Sequence, residues 1–273
     1  MKLLFVYSHE KPEQLACDGL MSAISLLEKD FKINKLNLSS TSSAERQVFW
    51  HTEYDFILGW GAAGSSVDKN IKEGGWKAKK RGLCIGGNAM PPDGLENYDV
   101  LFAETDWMIN NYLAGVKTKI VKAFGVNTDV FYQPDIDLPI MWDYIGVGAL
   151  ALWKRWGRFE DLPGKKLVVG QYQLGNERES SHIATELIKS GVMVSDWVSP
   201  FDISNFYWWS RTLYMPADLV GGGERTVLEA KACGLKVMVE DDNPKLKELA
   251  DLEVVPSHID YAKALKEGIY GVL

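Results

Sequence analysis

Short apolar runs rich in β-branched residues alternate along the chain with segments whose apolar residues recur at helical spacing. In the first half the predicted strands are "KLLFVY" (2–7), "FKINKLNL" (31–38), "DFILGW" (55–60), "GLCIGG" (82–87), "DVLFAE" (99–104) and "KIVKAFG" (119–125). Between the first two, Leu20, Ala23, Ile24 and Leu27 fall on one helix face. The second half repeats the scheme with "DYIGVG" (143–148), "KKLVVG" (165–170), "GVMVSDWV" (191–198), "TLYMP" (212–216), "KVMVE" (236–240) and "LEVVP" (252–256). Helices are predicted near 176–190, 202–210, 224–233, 244–250 and 258–267. Near-continuous apolar strands separated by helices require cover on both faces, which predicts α/β units built on parallel sheets.

The segment "NTDVFYQPDIDLP", with two prolines and three acids, reads as a linker near 133–141. It divides the chain into 1–134 and 135–273, two Rossmann-like, doubly wound domains expected to leave a cleft between them. A length of 273 residues fits two domains at about 150 residues each. Hydrophobic residues make up 46% and charged residues 25%, an ordinary globular balance. The net charge of −7 gives no general attraction for nucleic acid. Cys17, Cys84 and Cys233 are odd in number and far apart, so free thiols in a cytoplasmic protein are expected rather than a disulfide framework or a metal site. No signal-peptide core or run of roughly 20 apolar residues is read in the chain.

The chemistry concentrates in "LVGGGERTVLEAKACGLKV" (219–237). Three glycines follow a predicted strand and open a predicted helix. Without Cβ atoms, several N–H groups can converge on one point, and a helix start adds unpaired donors and a positive dipole end. Such a site suits a phosphate. Glu229, more than one turn into the helix, is placed to accept bonds from two ribose hydroxyls.

These residues also resemble the retaining, GT-B nucleotide-sugar glycosyltransferases typified by sucrose and mannosyl transferases, glycosyl transferases group 1, whose pattern reads E-G-F-G-x-x-x-x-E-A-x-A-C-G-x-P-V. Glu229-Ala230, Ala232-Cys233-Gly234 and Val237 match. "IVKAFGVNTDVFYQP" (120–134) resembles the segment that ends the first domain of those enzymes, and "GVGALALWKR" (146–155) resembles their G-R-L-x-x-x-K-G segment, with Gly148, Leu150 and Lys154 in register. The departures are specific: the first acid of the family's E-x7-E pair falls on Gly221, its arginine on Ala149 and its proline on Lys236. Glu224 lies three residues beyond the missing acid.

The resemblance implies transfer of a sugar from a UDP- or GDP-sugar to an unidentified acceptor, with retention and without a metal or other cofactor. Lys154, with Arg155, faces the leaving diphosphate, and Glu224 stands in for the missing acid. Gly148, Gly222, Gly223, Glu224 and Arg225 line the donor, Glu229 holds the ribose, and Trp197 and Val198 meet the base. The first domain supplies the acceptor surface. A nucleotide-sugar epimerase of the same fold and a catalytically inactive sugar-nucleotide binder are the alternatives.

Weaker signals point elsewhere. "GVGALA" (146–151) imitates a dinucleotide fingerprint but has no ribose-binding acid after the next strand, and "DID" (135–137) lies in the linker. The basic cluster "WKAKKRG" (76–82) reads as a solvated helix face, or as a peripheral contact with anionic lipid. His9, after the first strand, is an acceptor-side candidate.

Overall fold

A computed structural model describes residues 1–273 except Leu174 and Trp197. The chain folds into two compact units: Met1–Leu15, Gly19–Gly125 and His258–Leu273 form the first, and Ala16–Asp18 with Val126–Ser257 form the second. The division read from sequence at 134/135 therefore differs in three places, the first being Ala16–Asp18, which belongs to the second unit. The change of unit comes at Val126, and the last helix returns to the first unit.

In the first unit, β1 (Lys2–Tyr7), β2 (Lys32–Asn37), β3 (Tyr54–Gly61), β4 (Ala78–Ile85), β5 (Val100–Ala103) and β6 (Lys119–Lys122) form one parallel sheet in the order β2-β1-β3-β4-β5-β6. Strand period two sorts β1 between two cores. Leu3, Phe5 and Tyr7 join one face with Leu20, Ala23, Ile24 and Leu27 of α1 (Gly19–Leu27). Leu4 and Val6 join the opposite face with Val67 and Ile71 of α3 (Ser66–Glu73). The helix α2 (Ser43–Trp50), between β2 and β3, carries a capping box of Ser42 and Glu45. The basic run at 76–82 is largely β4 rather than a helix face: Lys79 pairs with Asp55 at 2.6 Å, Lys80 with Asp99 at 2.7 Å, and buried Trp76 donates to the Asn70 carbonyl.

In the second unit, β7 (Trp142–Ala149), β8 (Lys166–Gln171), β9 (Met193–Ser195), β10 (Ser210–Met215) and β11 (Lys236–Val239) form a parallel sheet in the order β11-β10-β7-β8-β9. Its helices are α4 (Glu177–Lys189), α5 (Ile203–Trp208), α6 (Glu224–Ala232) and α7 (Pro244–Ala250); α8 (His258–Tyr270) belongs to the first unit. The sixth strand expected at 252–256 does not form. Pro256 brings no N–H to a ladder and Val254 is exposed, so this segment makes only a bridge, in which the Val126 N–H donates to the Pro256 carbonyl at 3.0 Å. No helix among the described residues is long and apolar enough to cross a membrane. The three cysteines are free and buried.

Candidate functional site

The strand order of the second unit fixes where a ligand site forms. From β7 the chain winds outward through β8 and β9, then returns to lay β10 against the other side of β7. The loops leaving β7 and β10 therefore diverge at a topological switch point, at the carboxyl ends of adjacent strands. The first loop carries Lys154 in a 3-10 turn, Leu152–Lys154. The second runs from Pro216 through the three glycines into α6. This topology explains why residues about seventy positions apart in sequence meet. It also removes the dinucleotide reading of "GVGALA", since β7 is followed by this short turn and not by a helix.

The glycine loop is held from several sides. The Asp218 N–H donates to the Trp153 carbonyl at 2.9 Å, and the Gly221 N–H to the Asp218 carbonyl at 3.0 Å. Asn243, fully buried before α7, donates from Nδ2 to the carbonyls of Ala217 and Asp218 at 3.0 and 2.8 Å. Arg155 reaches the same loop: Nε donates to the Pro216 carbonyl at 2.6 Å and Nη2 to that of Ala217 at 2.9 Å, while both Nη atoms fork onto Asp242 at 2.6 and 2.8 Å. Arg155 is the residue expected as a second cation for the diphosphate. Its guanidinium edge is turned to carbonyls and a carboxylate, which makes it a bracket for the loop.

Gly222 and Gly223 adopt φ values of 63° and 121°, a region that side-chain-bearing residues rarely enter. α6 then opens at Glu224 with no side chain capping its N-terminus. Lys154 fills the hollow beneath. A Cβ placed on Gly148, Gly222 or Gly223 would lie 3.7, 3.9 or 3.5 Å from its Nζ. The ammonium rests 3.9 Å from Met215 Sδ and is 7% exposed. Burial lowers its pKa to about 8; the nearby carboxylates Glu224 and Asp218 oppose that shift, and the cations Lys245 and Arg225 add to it. At neutral pH it remains mostly charged. Gly221 has a separate constraint. A Cβ there would lie 2.6 Å from the Trp153 carbonyl oxygen and 2.9 Å from Asp218 Oδ1, so this loop conformation has no room for an acidic side chain at that position.

Glu224, at the first residue of α6, is buried and ion-paired with Lys245, which is 1% exposed. The sequence reading missed Lys245 and Asn243. Their signal is "DNPK", an Asn N-cap before a Pro at the first helical position. One turn of chain thus grips both ends of the glycine loop: Asn243 holds its start and Lys245 its end.

Along α6, Arg225 pairs with Asp18 at 2.6 Å and lies 3.6 Å from Glu229 Oε1. Tyr207 of α5 donates to Glu229 Oε2 at 3.1 Å. Burial raises the Glu229 pKa to about 7, against the pull of Arg225 and Tyr207. The structure therefore gathers Lys154, Gly148, Gly222, Gly223 and Glu224 at one point, with Arg225 and Glu229 further along α6. Val198 follows β9 at the far edge of the sheet and is part-exposed; Trp197 lies outside the described residues. His9 sits in the first unit, where its N–H and carbonyl are both bonded by Asn37.

No protein-family profile and no curated protein sequence matches this chain. Solved structures do. Sucrose-phosphate synthase from Thermosynechococcus elongatus superposes with a TM-score of 0.66 at 12% identity, over 99% of this chain and 89% of that one. The Anabaena HepE protein, solved with UDP and glucose, gives 0.61 at 13% identity over 100% and 97%. The lipopolysaccharide outer core galactosyltransferase WaaB gives 0.62 at 14% identity over the full length of both chains. At such identities the likeness establishes architecture: two parallel-sheet α/β units of the GT-B type.

Proposed function

We propose that this protein is a glycosyltransferase that moves a sugar from a nucleoside-diphosphate sugar to an acceptor hydroxyl, with retention at the anomeric carbon. The observation that carries this reading is the position of Lys154. A buried ammonium sits under Gly222 and Gly223 at the open N-terminus of a helix, at the switch point of a parallel sheet. Breaking the sugar–phosphate bond puts charge on the leaving diphosphate, and a fixed cation with converging N–H donors stabilises that charge without reorganising. Because Lys154 supplies the charge, the reaction runs without a divalent metal. UDP is the first choice of carrier, since HepE was solved with UDP and with UDP-glucose; GDP is the second. In this reading Glu229 takes the ribose hydroxyls, exchanging its bonds to Tyr207 and Arg225, and Val198 borders the base. The leaving phosphate assists deprotonation of the acceptor.

Two observations favour a second reading, a sugar-nucleotide binder without turnover. No acid fits at Gly221, and both oxygens of Glu229 already have partners within the chain. Calorimetry and thermal shift with UDP, GDP and ADP test the site, because a ligand of the native state raises its melting point. Transfer and hydrolysis assays with UDP-sugars, run with and without a chelator, then separate the readings. Turnover that survives chelation supports the transferase, and binding without turnover supports the inactive form. A chain that binds none of the three nucleotides at millimolar concentration sinks both.

A further inference from the structure

An acidic residue at the first position of an anion-binding helix poses an electrostatic problem. A carboxylate there is favourable toward the helix dipole but repels an incoming diphosphate. Glu224 occupies that position, buried, in the same neighbourhood as Lys154. Left alone it has one cation to turn to, and that cation is the one the diphosphate needs. The structure supplies another. Lys245, almost wholly buried on α7, is ion-paired with Glu224.

We propose that Lys245 is a positioning residue for the donor: by engaging Glu224 it cancels the carboxylate at the mouth of α6 and leaves the Lys154 ammonium free for the diphosphate. This inference rests on the reading of the glycine loop as the diphosphate site. Among Lys154, Lys245 and Glu224 the charges sum to a surplus of one positive charge, two lysines against one carboxylate, and a buried surplus of that sign is satisfied by an anion. The groups that act on Lys154 are Glu224 and Arg225 on α6, Lys245 on α7 and Asp218 in the β10 loop. Of these, Lys245 alone is both locked to Glu224 and shut away from solvent. Asn243, two residues earlier, fixes the other end of the loop, so α7 enters the unit as a preformed support.

The test uses the full chain in four forms: wild type, Lys245→Met, Glu224→Gln and the double variant. UDP affinity is measured by calorimetry and folding by circular dichroism. Removing the lysine alone strands Glu224, which then competes for Lys154, and UDP affinity falls roughly tenfold or more. Removing both charges restores affinity to the wild-type range, which a merely structural lysine would not do. A second readout needs no nucleotide. The Lys154 side chain, followed by NMR, titrates near about 8 in wild type and at higher pH in Lys245→Met, because a repelling cation is gone and Glu224 is released toward it. The proposal is overturned if Lys245→Met binds UDP as wild type does, if the folded double variant stays as weak as the single, or if the Lys154 midpoint does not move. Where Lys245→Met fails to fold, the double variant decides by binding UDP normally or not. If wild type binds no nucleotide, the diphosphate reading fails, while the Lys154 titration still decides whether Lys245 governs Glu224.

Discussion

Replacing Lys154 by Met separates binding from stability in one experiment. In the folded chain the ammonium is 7% exposed and its pKa lies near about 8 instead of the usual 10.5. At about 1.4 kcal/mol per pH unit, that difference of roughly 2.5 units corresponds to about 3 kcal/mol of destabilisation whenever the side chain must be charged. The sign follows from proton binding. Between pH 8 and 10.5 the unfolded chain still holds this proton and the folded chain has released it, so stability rises with pH across that window. Below pH 8 both states hold the proton and the cost is present in full. Met keeps much of the packing volume, can lie against Met215 and has no charge to bury. Lys154→Met is therefore expected to be more stable than wild type at pH 7, by up to about 3 kcal/mol, and to lose the wild-type rise in stability between pH 8 and 10.5. UDP affinity, in contrast, collapses. Urea unfolding of both proteins at pH 7 and pH 10 measures the first effect, and calorimetry the second. Other groups that titrate in this window are common to both proteins and cancel in the difference. A variant that is less stable at pH 7 and keeps the wild-type pH slope would refute the reasoning, because the ammonium would then be a structural element and not a strained binding group.

Glu229→Gln is expected to remove a pH dependence of the opposite sense. The folded carboxyl titrates near about 7 and the unfolded one near 4.5, so wild-type stability declines as pH rises through that interval, and the variant should lose this decline in melting curves at pH 4.5 and 7. Gly221→Glu, which places an acid where the resembled pattern has one, is expected to lower the melting point and bring no gain in any UDP-sugar turnover, since its Cβ meets the Trp153 carbonyl; a faster, equally stable variant would show that the loop has another accessible form. Arg155→Ala is expected to lower stability by roughly 1–2 kcal/mol, mainly through the two lost carbonyl bonds, because Asp242 is mostly exposed, and to weaken UDP binding by loosening the loop. Unchanged urea midpoint and affinity would return Arg155 to solvent.

What the sequence made legible was local. Near-continuous apolar runs located eleven of the twelve expected strands, because a strand buried on both faces leaves a continuous apolar signature. "LEVVP" carried that signature and failed, since register with a neighbour is a property of the sheet and not of five residues. The start of α6 was legible because glycines and a helix period abut there. The partners of the site were not. Arg155 reads as a free cation beside Lys154, and only the fold shows that its edge is filled by carbonyls of a loop some sixty residues on. Lys245 reads as one of several lysines in an amphipathic helix, and its burial follows from how α7 packs beneath α6.

The departures from the family pattern make sense as a set of charges. Relative to that pattern, Ala149 at the end of β7 lacks a cation and Gly221 in the β10 loop lacks an acid. Either change alone would shift the local charge by one unit; together they leave it unaltered. The new acid, Glu224, arrives with its own buried cation, Lys245, so the second exchange is balanced as well. The matched pairs hold the surplus at the single positive charge of Lys154, near the start of α6, and the Lys245→Met and Lys154→Met variants each lower it by one, the first by stranding Glu224 beside Lys154 and the second by removing the ammonium itself.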